Sequence, residues 1–184
     1  NLELLMKYQR VDGKIYHELT SSGSVHYDAS DATPFFVVLM GKYLRASGDV
    51  AFIRDHMDSI RRAMDFCAST DTNGDRLPEN INVGHGWLEG GDFFGNRTEF
   101  VVAGLWEKAL GEAAYMCDAV GLQKEEAAYA KERTYISEIL NNDFWKGEKG
   151  WYSYGKRDDG TFADELLVLV NSIILMGNTD HEKS

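Results

Sequence analysis

Helices that are apolar on nearly every side alternate along this chain with helices that are apolar on one side only. The segment "SDATPFFVVLMGKYLRASGD" is apolar all round from Phe35 to Leu44, which marks a helix buried on every face. Ser30 or Asp31 can cap it, and Pro34 falls in its first turn, where a missing N–H costs nothing; Gly48 ends it. Asp49 then caps "VAFIRDHMDSIRRAMDFCAS". There Phe52, Ile53, Met57, Ile60, Met64 and Cys67 recur at spacings of three and four, with Arg54, Asp55, Asp58, Arg61, Arg62 and Asp65 on the wet side. The order then repeats. "RTEFVVAGLWEKALGEAAYMCDAVG" is largely apolar and closed by Gly121, "QKEEAAYAKERTYISEILNNDFW" is its charged amphipathic partner, and "FADELLVLVNSIILMG" is apolar again and closed by Gly177. "NLELLMKYQ" reads as the tail of a further helix, and only two prolines interrupt the chain.

This alternation predicts an all-α fold of stacked helical hairpins, each burying one helix and exposing the other. Around an axis such hairpins form an α/α toroid with an inner and an outer ring; in a row they form a solenoid. Loop length favours the toroid. The segments leading into the three apolar helices are long, about 20 residues before Asp31, about 25 before Arg97 and about 18 before Ala163, and loops of this size inside a compact domain are usually functional. All three enter inner helices, so all three lie at one end of the ring. Strand signals are limited to pieces such as "KIYHEL" and "GWYSYG".

The formal net charge of −11 argues against a nucleic-acid partner, which requires clustered Lys and Arg, and suits a neutral ligand. No membrane partner is expected: the longest apolar run, "LLVLVNSIILMG", is polar in the middle and falls short of the roughly 18 residues that span a bilayer. Cys67 and Cys117 lie within helical patterns and read as buried free thiols. The first residue is Asn, so the chain reads as trimmed or cut from something longer, and the compartment, cytoplasmic or periplasmic, stays open.

The loops carry carboxylates mixed with aromatics. The first holds His17, Glu18, His26, Tyr27, Asp28 and Asp31; the second His85, Trp87, Glu89, Asp92, Arg97 and Glu99; the third Trp145, Trp151, Tyr152, Tyr154, Asp164 and Glu165. Such a mixture suits a sugar, because aromatic faces stack on C–H faces, carboxylates accept from adjacent hydroxyls, and two carboxyls manage the glycosidic oxygen and the water. Plainer readings stand beside it. Asp31 can be a simple helix cap, and "GWYSYG" a short ribbon packed on the core. "DTNGDRLPEN" places Asp71, Asn73 and Asp75 like a calcium loop, but with Arg76 where glycine is needed, and reads better as a turn capping its own backbone. His17 with Glu18, or His26 with Asp28, match no tight metal spacing; no metal and no cofactor are expected. No serine-elbow, phosphate-loop or paired "CxxC" motif occurs.

Taken together, "HELTSSGSVHYDASDATPFFVVLMGKYLRASGD", "DTNGDRLPEN" and "GHGWLEGG" resemble the six-hairpin (α/α)6-toroid glycoside hydrolases, with the nearest likeness to the amylo-α-1,6-glucosidase domain of glycogen debranching enzymes. The strongest piece is the "DAT-P" helix start followed by "Y-x5-D". The resemblance implies an inverting glycosidase acting on an oligo- or polysaccharide. It implies that Glu89 is the general acid, that Trp87 lines the subsite and raises the Glu89 pKa, and that Asp31 binds the sugar. His17, Glu18, Tyr27, Asp28 and Arg97 follow as weaker hydroxyl ligands, and Glu99 as a possible second acid. Many such enzymes carry Asp where Glu89 stands. The catalytic base in them comes from a later loop, and the chain holds about half the helices of a full ring, so residues 1–184 are expected to be part of one toroid domain. Its remaining half, or a homodimer partner, is expected to cover the bare inner face. A non-catalytic carbohydrate-binding or scaffolding module on the same fold is the alternative. A metal-dependent lyase or isomerase would need His17, His26 or His85 to meet around an ion.

Overall fold

Asp49 shows how closely local sequence sets these elements. Its carboxylate accepts from Phe52 N at 3.0 Å, capping the helix that follows, and from the Tyr43 hydroxyl at 3.1 Å, reaching back to the helix before it. The "Y-x5-D" spacing is therefore a structural strap across a tight helix–helix turn, closed by Gly48 in the left-handed region (φ +69°).

The computed structural model describes residues 1–80, 83, 84 and 96–168, residue 96 in its backbone alone. Helices α1 (Leu2–Lys7), α2 (Ala32–Ser47), α3 (Val50–Asp55), α4 (Met57–Ser69), α5 (Phe100–Val120) and α6 (Gln123–Ile139) follow in order, and a π-helical turn, Leu140–Phe144, ends α6. Helix α2 pairs with α3 and α4, and α5 pairs with α6, as two hairpins. Glu112 of α5 meets Gly41 and Arg45 of α2. That contact lies about three turns into each helix, and at the other end Gly84 seats against the Asp28 backbone before α2 while Asn80, bonded to Gly84, holds Glu99 at the start of α5, so α2 and α5 run parallel with their starts close together.

Helix α5 is buried along most of its length, glutamates included. Glu107 is held by Arg133 of α6 at 2.6 Å and Glu112 by Arg45 of α2 at 3.0 Å, so each buried carboxylate has a cation from a neighbouring helix. A Cβ on Gly41 would lie 2.6 Å from the Glu112 Cβ, and the absence of a side chain there lets the helices close. Helix α2 departs from the expectation of burial all round. Phe35 and Leu39, one turn apart, are 41% and 47% exposed, while the opposite side packs into the core.

The segment from Val50 to Ser69, read as one helix, is two. At His56 (φ −113°, ψ 11°) the backbone N–H bonds to Ile53 O, tightening the turn, and the imidazole Nδ1 lies 2.8 Å from the Phe52 carbonyl that the tightening leaves over. Apolar spacing runs through the break unchanged and gives no sign of it.

Strands are more numerous than expected. Strands β1 (Glu18–Leu19) and β2 (Val25–His26) form a hairpin, as do β4 (Trp145–Lys146) and β5 (Trp151–Tyr152). Strand β3 (Asn96–Glu99) pairs antiparallel with β6 (Gly155–Arg157), which pairs antiparallel with β7 (Phe162–Ala163). The "GWYSYG" ribbon packs on the core: Tyr152 stacks on Phe100 with ring centroids 5.0 Å apart, and Tyr154 O accepts from Phe100 N at 2.9 Å. The apolar segment closed by Gly177 begins as strand β7, and from residue 169 it lies outside the described residues. Cys67 and Cys117 are free and buried, with the Cys117 thiol pushed up to about 11 by burial. Among the described residues no helix is long and apolar enough to cross a membrane.

"DTNGDR" caps itself. Asp71 accepts from the backbone N–H groups of Asn73, Gly74 and Arg76 at 3.2, 2.7 and 2.9 Å, which fixes Arg76 at φ +68°. Asp71→Ala is expected to cost about 1–2 kcal/mol, as for a lost helix cap, read as a fall in Tm of about 2–8 °C.

Candidate active site

The three long loops meet at the end where α2 and α5 begin. Residues 13–16 of the first loop link it to the second loop and to α2. Lys14 Nζ donates to the Val83 carbonyl, and Ile15 N donates to Thr33 Oγ1 at 3.1 Å in the first turn of α2. Burial lowers the Lys14 pKa, the nearby Arg10 adding to the effect. Gly84, at φ +125°, lies so close to the first loop that a Cβ on it would stand 2.1 Å from the Asp28 carbonyl oxygen. Strand pairing of β3 with β6 joins the second loop to the third, and Lys156 Nζ adds a bond to Asp75 Oδ2 at 2.9 Å.

Two acids stand at the starts of these helices. Asp31 and Glu99 are the N-cap residues of α2 and α5, and neither side chain caps its own helix. Asp31 is 9% exposed and Glu99 1%. An acid at an N-cap ordinarily accepts from an amide two or three residues on. These carboxylates do not, yet both remain at the positive ends of parallel helices, where negative charge is favoured. Glu99 Oε1 accepts instead from Asn80 Nδ2 at 2.6 Å. Glu99 is the last residue of β3 rather than part of the first turn of α5, as the sequence had suggested.

The other candidates are distributed unevenly. Arg97 does not face the acids as an unengaged cation: Nε donates to Glu79 Oε1 at 2.8 Å and its terminal nitrogen to Thr72 Oγ1 at 2.5 Å. Glu79, fully buried, raises the pKa of the guanidinium through its hydrogen bond. His17, Glu18 and Asp28 are exposed on and beside the β1–β2 hairpin, with His17 Nδ1 3.3 Å from Asp28 Oδ1. The Tyr27 hydroxyl donates to the Tyr8 carbonyl. In the third loop, Tyr152 and Tyr154 belong to the core, and Trp151 Nε1 donates to Asp164 O at 2.8 Å. Glu89, Trp87, His85 and Asp92 lie outside the described residues. Among the described residues no three His, Cys, Asp or Glu side chains stand together as a metal site.

Sequence reading passed over Lys14, Glu79 and Asn80. Glu79 and Asn80 sit in "LPEN", which has only turn character, and Lys14 follows a glycine in a polar stretch. Nothing in such segments marks a charged side chain as buried. The one available signal was position, since both stretches belong to the long loops.

Residues 2–175 match the family model of the bacterial α-L-rhamnosidase six-hairpin glycosidase domain. The chain belongs to this family. Among solved structures it superposes on a GH78-family rhamnosidase of Bacillus sp. GL1 with a TM-score of 0.78 at 17% identity, over 95% of this chain and 18% of that one. That likeness shows the fold, a partial six-hairpin toroid, and the chain spans less than a fifth of that protein's length. No curated protein sequence matches significantly. The rhamnosidase match corrects the nearest likeness inferred from the motifs: six-hairpin membership stands, and closeness to debranching enzymes does not. The reason is physical. "DAT-P" and "Y-x5-D" describe a helix start and an interhelical strap, which belong to the scaffold and say nothing of which sugar is bound.

Proposed function

We propose that the complete protein carrying this chain is an inverting glycoside hydrolase acting on an α-L-rhamnoside. The family match over residues 2–175 carries the reading. In support, Asp31 and Glu99 stand as buried carboxylates at the neighbouring starts of two parallel inner helices, and the net charge of −11 suits a neutral sugar. In this reading the two carboxylates accept hydrogen bonds from ring hydroxyls, Glu89 beside Trp87 protonates the leaving oxygen, and the base comes from outside this chain. His17, Glu18, Tyr27 and Asp28 belong to the rim. Arg97 acts through Glu79 rather than on the sugar. Residues 1–184 are then part of one toroid domain, and a further hairpin covers Phe35 and Leu39.

The test is a panel of aryl glycosides and α-glucans with the complete protein, the anomer released being followed by NMR. Cleavage of an aryl α-L-rhamnoside with inversion is the expected result. Turnover of α-1,6-glucans alone would restore the debranching-type specificity. Binding without cleavage would make the protein a carbohydrate-binding module.

A further inference from the structure

We infer that Asn80 is a positioning residue that fixes the two sugar-binding carboxylates relative to each other, an inference that rests on the assignment of Asp31 and Glu99 to the sugar. Asn80 is 9% exposed and engages three ways. Its side-chain amide donates to Glu99 Oε1 at 2.6 Å, which sets the rotamer of a carboxylate with almost no access to water. Its backbone N–H donates to the Arg97 carbonyl at 3.0 Å, tying it to the strand that ends in Glu99. Its carbonyl accepts from Val83 N at 3.1 Å and Gly84 N at 3.2 Å. Those bonds set Gly84 against the Asp28 and Ala29 backbone, two to three residues before Asp31. One residue thus touches the carboxylate at the start of α5 and braces the approach to the carboxylate at the start of α2.

The residue type matters as much as its place. A carboxylate held this deep requires donors. Asparagine supplies one without adding charge, whereas aspartate in its place would set an acceptor against an acceptor and leucine would supply nothing.

The experiment is a double-mutant cycle in the complete protein, with an aryl α-L-rhamnoside as substrate and Tm measured alongside. Asn80→Ala is expected to raise KM about tenfold, the size of one hydrogen bond to a charged group, with kcat less affected. Asn80→Asp, which keeps the shape and removes only the donor, is expected to show the same defect, and the Tm of each variant separates it from loss of fold. On a Glu99→Ala background the Asn80→Ala change is expected to add nothing further, because two residues acting through one contact are not additive. A KM unchanged in both Asn80 variants, or effects that multiply in the double variant, would overturn the inference while leaving Glu99 in place. Wild-type kinetics in Glu99→Ala would instead remove Glu99 from the sugar site, and the inference with it.

Discussion

Glu89→Gln in the complete protein is expected to lower kcat on an α-L-rhamnoside with a poor leaving group by about 10²-fold or more, the contribution of a general acid. The amide keeps the size and the polar contacts of the acid and loses the proton, so KM moves little. The loss depends on the leaving group. An alkyl aglycone leaves only when its oxygen is protonated, and it suffers in full. A dinitrophenolate departs unaided, and its rate is nearly spared. That split separates a general acid from any other role for Glu89: an equal loss on both substrates would mean that the residue shapes the site without giving a proton. The prediction rests on "GHGWLEGG", where Glu89 is the one acid in a glycine-rich stretch beside an indole. An apolar neighbour of that kind keeps a carboxyl protonated near neutral pH.

Gly13→Ala is expected to be the most damaging single methyl in the described residues, costing about 3 kcal/mol or more and lowering Tm by about 6–12 °C. Two penalties coincide there. The backbone is left-handed at φ +99°, and an added Cβ would stand 1.9 Å from the Arg62 carbonyl oxygen, a backbone atom inside α4 that no side-chain rotation can move. The damage reaches the site, because Gly13 seats the segment from which Lys14 holds Val83 and Ile15 holds Thr33. Gly48→Ala is the control. It shares the positive φ, at +69°, but nothing lies within 4 Å of its Cβ, so strain alone acts and the cost is about 1 kcal/mol. Equal losses in the two variants would mean that the contact of the first loop with α4 is not tight.

What the sequence made legible was the part of the fold governed by periodicity and punctuation. Asp49 before Val50, Gly48 and Gly121 after their helices, and the apolar runs of α2 and α5 all act through neighbours in sequence, so their spacing carries the information. The same logic brought the long loops to one end, as the contact of Gly84 with Asp28 and the pairing of β3 with β6 bear out. What stayed illegible depends on partners far along the chain. The sheet of β3, β6 and β7 joins residues 96–99 to 155–163, and its strands are too short to alternate visibly. Arg97 entered as a ligand through the resemblance alone, and nothing in the sequence pointed to its partner Glu79, eighteen residues away in a turn. The identity of the sugar was illegible for a different reason: the motifs that were readable belong to the scaffold.

The most direct test is a crystal structure of the complete protein soaked with L-rhamnose. The expected result is a sugar at the starts of α2 and α5, with ring hydroxyls within hydrogen-bond distance of the Asp31 and Glu99 carboxylates and Asn80 still bonded to Glu99. A sugar bound elsewhere, with Asp31 and Glu99 both out of its reach, would contradict the assignment of this end of the helices as the active site.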